Sequence, residues 1–147
     1  MDGGFVAALE RGIHPSLLAD TDLRRRSLLA VGIAWLVVAV GLVLGVILFF
    51  VSAPEVRLIG SVNTLVTCGL AGFAVLMVRR GRLVLAGNWI AGLIAIGVCY
   101  SLLVGGNVGA PFTVTVPVAP VLALVISGRR SGIVWGLVST AYVLALA

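Results

Sequence analysis

The sequence predicts an all-α fold, a polytopic transmembrane helical bundle, and three observations predict it. Of the 147 residues, 61% are hydrophobic and only 10% are charged, too few to give a domain of this size a water-facing surface. The apolar residues fall in about five runs, most of them near the ~20 residues a helix needs to cross a ~30 Å bilayer core. The basic residues, all ten of them Arg, gather in short clusters between those runs, as charges that orient membrane spans do.

Residues 1–26 read as a cytoplasmic N-terminal segment. Phe5, Leu9 and Ile13 recur at helical spacing, so a short amphipathic helix is expected. His14-Pro15 breaks it, because proline disfavours helix in the residue before it. His14 has no partner cluster and reads as a solvated residue, not a ligand or switch. Asp20, Thr21 and Asp22 suit the start of the next helix, where acids meet exposed N–H groups. Arg24, Arg25 and Arg26 mark the membrane surface. The segment is no secretory signal: acids interrupt its charged preamble, the apolar run is long, and no small-residue cleavage site stands out.

The transmembrane domain, 27–147, follows. Its first span, 27–52, carries Gly41 and Gly45, a GxxxG pair that lets helices approach closely; packing is the preferred reading and dimerisation the weaker one. After a tight exit, the second span covers 56–78 and stops at "RRGR", with Arg79, Arg80 and Arg82. Within it, Asn63 and Thr67 share a face at i, i+4 and are expected to hydrogen-bond across helices. The third span covers 83–104, and Asn88 beside Trp89 is expected to play a similar role at the interface. The fourth apolar run is 112–127. "GRRSG", 128–132, then reads as a third basic turn holding Arg129 and Arg130, and the fifth run is 133–147. Those 15 residues reach roughly 22 Å, short of the ~30 Å core. The expectation is therefore a span cut short, with a sixth needed to return a downstream domain to the cytoplasm.

Orientation follows from the arginines. Counting Arg11, nine of the ten fall on one side of this topology, and the positive-inside rule makes that side, with the N-terminus, cytoplasmic. Trp89 and Trp135 then fall near the cytoplasmic interface, where indoles favour one wet and one apolar end; Trp35 lies deeper. The net charge of +5 does not form one patch, which argues against nucleic acid. Cys68 and Cys99 lie at different depths, so no disulfide is expected, and nothing has metal-ligand spacing. No ionisable residue lies deep in a span, as proton relays and ion-coupled pumps require. No phosphate-cradling loop, Ser/His/Asp set or carboxylate pair is present, so no catalytic residue, cofactor or metal is assigned.

"GGNVGAPFTVTVPVAP", from Gly105 to Pro120, holds three of the five prolines. In a continuous helix Pro117 and Pro120 would free the carbonyls four residues back, and freed carbonyls at membrane depth need partners in protein or water. A simple kink satisfied by neighbouring helices is the preferred reading. The functional alternative is an outward-facing pocket formed by Tyr100, Ser101, Asn107, Pro111, Thr113, Thr115 and Pro117.

The pattern "VRRGR…AGNW", "GGNVGAP" and "P…LALVISGRRSGIVWG" resembles the multi-span N-terminal membrane input domains of bacterial sensor histidine kinases; similar modules are attached to diguanylate and adenylyl cyclases. The corresponding positions are Gly105, Gly106 and Pro111, then Gly128, Arg129, Arg130 and Trp135. The resemblance implies a sensory and anchoring module in the bacterial inner membrane, a homodimer formed through a cytoplasmic output domain outside these residues, and a role in two-component signalling. No phosphoacceptor-histidine segment or ATP-binding domain lies in the chain. The alternatives are a fragment of a transporter or channel, or a self-contained small membrane protein that oligomerises through glycine-rich faces.

Overall fold

The computed structural model describes residues 3–51, 54–105 and 117–146. These form seven α-helices and no strand: α1 (Gly3–Glu10), α2 (Pro15–Leu18), α3 (Thr21–Val51), α4 (Pro54–Arg79), α5 (Leu83–Gly105), α6 (Val118–Ser127) and α7 (Arg129–Leu146). Two of them are long and apolar enough to cross a bilayer, over Thr21–Ile47 of α3 and Ser61–Arg79 of α4.

Local chemistry sets the helix starts. Asp20 Oδ1 accepts from the backbone N–H groups of Asp22 (2.7 Å) and Leu23 (3.3 Å), which satisfies two of the donors that the first turn of α3 leaves open. Pro15 opens α2, and His14 Nδ1 accepts from the Ser16 N–H at 3.3 Å. Ile13 lies beyond the end of α1, not on it, and is nevertheless buried. Between α4 and α5 the chain turns through Gly81 at φ 74°, a left-handed conformation open to glycine without a Cβ penalty.

Two expectations from the sequence change. "GRRSG" is not a five-residue turn. Gly128 alone, at φ 97°, separates α6 from α7, and Arg129 and Arg130 belong to the first turn of α7. The kink at Pro120 is absent too. Because α6 begins at Val118, Pro120 falls in its first turn, where a missing N–H costs nothing. The helix then has 10 residues, about 15 Å of rise.

The helices alternate in direction. Cys68 of α4 lies against Val38 and Gly41 of α3, and Thr64 against Gly45. Trp89 of α5 reaches Leu70 and Phe73 of α4. Ser127 and Ile126 of α6 meet Val84 and Gly87 of α5, and Trp135 of α7 meets Asn88 and Gly92 of α5. Each of the first three pairs runs antiparallel, whereas α5 and α7 leave the arginine-bearing end together. The principal core joins α3, α4, α5 and α6 near that end, through Val31, Ala34, Val78, Ala86, Ile90 and Ile126. A smaller cluster, Ala91 with Ala119 and Ala123, continues the α5–α6 seam.

Candidate functional site at the arginine-bearing end

Three separate stretches of sequence bring their arginines to one end of the bundle, where the N-terminal segment caps them. Ile13 and Leu17 are buried in the same core as Val78 and Leu83, so the cap sits over the α4–α5 turn. A Cβ on Gly81 would lie 3.6 Å from the His14 ring, and one on Gly12 would lie 3.5 Å from Arg79 Nε. One on Gly128 would lie 3.4 Å from an Arg26 guanidinium nitrogen. These three approaches put Arg24–Arg26, Arg79–Arg82 and Arg129–Arg130 around one cap.

The charges are unevenly matched. Arg24 donates to Glu10 through Nε at 2.7 Å and also through Nη2, tying α1 to the start of α3. Arg26 pairs with Asp22 at 2.7 Å, one turn apart. Arg25, Arg79, Arg80, Arg82, Arg129 and Arg130 have no ion pair among the described residues. For Arg129 and Arg130 this is notable, because cations in a first helical turn oppose the helix dipole. A cleft of about 540 Å³ opens here between the cap and the α5–α6 seam, with Arg26, Arg82, Asn88 and Ser127 as its polar lining. Arg26 Nε and the fully buried Ser27 hydroxyl have no hydrogen-bond partner among the described residues.

The remaining sequence-selected residues lie elsewhere. Gly41 and Gly45 face α4 of the same chain: a Cβ on Gly41 would come within 2.6 Å of Cys68 Sγ, and one on Gly45 within 3.2 Å of Thr64. Their close approach is thus spent inside the monomer. Thr67 does not bond across helices as expected; its hydroxyl donates to the Asn63 carbonyl of its own helix at 2.9 Å, the partner always within reach one turn back. Asn63 is exposed. Across to α3, the Cys68 thiol donates to the Val38 carbonyl at 3.6 Å.

The sequence also left the indole partners unspecified. Trp135 Nε1 donates to Asn88 Oδ1 at 3.1 Å and Trp89 Nε1 to the Leu70 carbonyl at 2.8 Å, so both rings tie helices together near the arginine end. A polar residue one position before a tryptophan, as in Asn88-Trp89, was the only signal. Of the outer-pocket set, Tyr100 and Ser101 lie on the far turns of α5 and Pro117 is the exposed residue before α6. Asn107, Pro111, Thr113 and Thr115 lie outside the described residues.

No protein-family model matches the chain, and no curated protein or solved structure matches it.

Proposed function

We propose that the chain is the membrane-embedded sensory and anchoring module of a bacterial signal-transduction protein of the sensor histidine kinase type. It would sit in the inner membrane with its N-terminus and arginine-bearing end in the cytoplasm and act as a homodimer through an output domain beyond these residues. The observation that carries this reading is the convergence of the three arginine clusters at one end of helices that leave it as apolar rods. Only 17% of the most apolar stretch of α3 and 33% of that of α4 is buried. The core helix of a water-soluble domain hides most of its surface; these two leave theirs open, as lipid-facing helices do. Signalling would work by population shift: an outer-leaflet stimulus favours one packing of α3 to α7, and the helix leading to the output domain transmits it.

Two experiments test the reading. Cysteines are placed at Arg82 and Asn107, one at a time, with Cys68 and Cys99 replaced by Ala, and intact cells are treated with a membrane-impermeant thiol reagent. Labelling at 107 and protection at 82 is expected, and the reverse overturns the orientation. Reading the gene past codon 147 tests the signalling role. Continuation into a phosphoacceptor-histidine helix and an ATP-binding domain is expected; an immediate stop, or further spans with no such domain, overturns it.

A further inference from the structure

A second cavity, about 570 Å³, runs along the outer side of α3 beside α1. Its walls divide sharply. Thr21, Arg24 and Arg25 line its polar end, and Leu29, Gly32 and Leu36 continue along α3 from Arg25 at intervals of about one turn. A Cβ on Gly32 would meet nothing within 4 Å, so the floor of the groove there is open space. Leu9 of α1 forms the opposite bank, and the Glu10–Arg24 ion pair holds that bank in place.

The charge at this end does not cancel. Glu10 offsets Arg24 and Asp22 offsets Arg26, while Arg25 has no acid partner among the described residues and is exposed. One positive charge is therefore left over, beside a Thr21 hydroxyl that has no partner among the described residues. From Arg25 the apolar floor runs from ~6 Å (Leu29) to ~16 Å (Leu36) farther along the helix, at 1.5 Å per residue. A cation at the rim followed by about three helical turns of apolar groove suits a phosphate joined to a long hydrocarbon chain. The rim would lie at headgroup depth, where basic residues attract anionic lipid.

We propose that this groove binds one monoanionic phospholipid of the arginine-side leaflet. Its phosphate lies on Arg25 and Thr21, and one acyl chain lies along Leu29, Gly32 and Leu36. The inference rests on the reading that α3 crosses the bilayer. The bound lipid would touch both α1 and α3, and so couple the seating of the cap to the composition of that leaflet.

The test is native mass spectrometry of the full chain in detergent, titrated separately with phosphatidylglycerol, phosphatidylcholine and inorganic phosphate. Wild type is expected to retain one phosphatidylglycerol about fivefold more strongly than phosphatidylcholine, the gain expected of one arginine near a lipid surface. Arg25→Gln should remove that preference and Arg25→Lys restore it. Gly32→Leu, which fills the groove, should weaken both lipids. Arg129→Gln, an unpaired arginine at the same end outside the groove, should change nothing. Equal retention of the two lipids, or a preference that survives Arg25→Gln, overturns the proposal; so does retention of inorganic phosphate at comparable strength, which would mark a headgroup-only site. Should Gly32→Leu fail to fold, the Arg25 pair decides alone. Resistance of the membrane-bound protein to alkaline carbonate extraction reports separately on the bilayer reading. A resistant protein without lipid preference sinks this proposal only, and an extractable protein sinks both.

Discussion

The two halves of α3 differ in packing. Toward the arginine end, Ala30, Val31 and Ala34 of α3 and Ala74, Val75 and Val78 of α4 are buried under the cap and against α5. Toward the other end of α3, Leu42, Val43, Leu44, Val46, Ile47 and Phe50 are exposed. Most buried residues of α3 and α4 are small (Ala30, Val31, Ala34, Ala71, Ala74, Val75 and Val78, with Met77 the largest), whereas the exposed ones are mostly leucine, isoleucine, valine and phenylalanine. On the membrane reading this is the expected division, since lipid dissolves any apolar side chain equally well and only close approach of helices distinguishes protein from lipid. Hydrophobicity then chooses the solvent, and small residues choose the partner.

The sharpest way to break that contrast is to add bulk to a packed and to an open position. A Cβ on Gly87 would lie 2.1 Å from Ser127 Oγ and 2.7 Å from Ile126 Cγ2, whereas one on Gly69 would meet nothing within 4 Å. Gly87→Val should therefore lose about 3 kcal/mol of stability through overpacking of the α5–α6 seam. Gly69→Val should change it by less than about 0.5 kcal/mol. Unfolding of the two variants in mixed micelles titrated with sodium dodecyl sulfate measures both, and equal losses would mean that the α5–α6 seam is not the tight one.

Removing the same atoms from each half is the complementary experiment. Val78 is fully buried and Val43 is 60% exposed. Val78→Ala should lose roughly 2 kcal/mol, and Val43→Ala under about 0.5 kcal/mol, because only the first leaves an unfilled space. Leu17→Ala, in the cap, should behave like Val78→Ala, since Leu17 belongs to the same core. A smaller effect is expected from Trp135→Phe, which keeps the ring and deletes the donor to Asn88: about 1 kcal/mol, the usual scale for one hydrogen bond between apolar helices.

Much of the arginine half was legible in the sequence, because its signals are local. Asp20 caps α3 as its position before an apolar run suggested, and the basic clusters fall at helix ends. What was not legible required a partner at a distance. Ile13 fits a helical stripe with Leu9, but the chain leaves α1 at Glu10, and burial of Ile13 depends on where α4 ends and α5 begins. Gly128 reverses the chain by itself, so the turn needed no further residues; arginine is a good helix former, and α7 resumes at once. Thr67 and the Cys68 thiol both had donors to place, and the sequence could not tell which faced α3. The outer pocket, by contrast, drew on residues that fall largely outside the described set.

The smallest expected effect concerns what holds the cap. Two attachments are visible: the Glu10–Arg24 ion pair, with side chains 26% and 47% exposed, and the buried Ile13 and Leu17. An ion pair that open to water contributes at most about 1 kcal/mol and is screened by salt. Glu10→Gln should therefore leave global stability nearly unchanged and raise hydrogen exchange of the cap amides by about fivefold at most, the equilibrium equivalent of that energy. The amides to follow are Ile13 N–H, bonded to the Glu10 carbonyl, and Leu17 N–H, bonded to the His14 carbonyl. Raising the salt concentration around wild type should reproduce the change, and should add nothing to Glu10→Gln. A far larger acceleration in Glu10→Gln would mean that the charge pair, not the two buried side chains, seats the cap. The arginine half would then owe its closure to electrostatics, and its difference from the open half would no longer be one of packing alone.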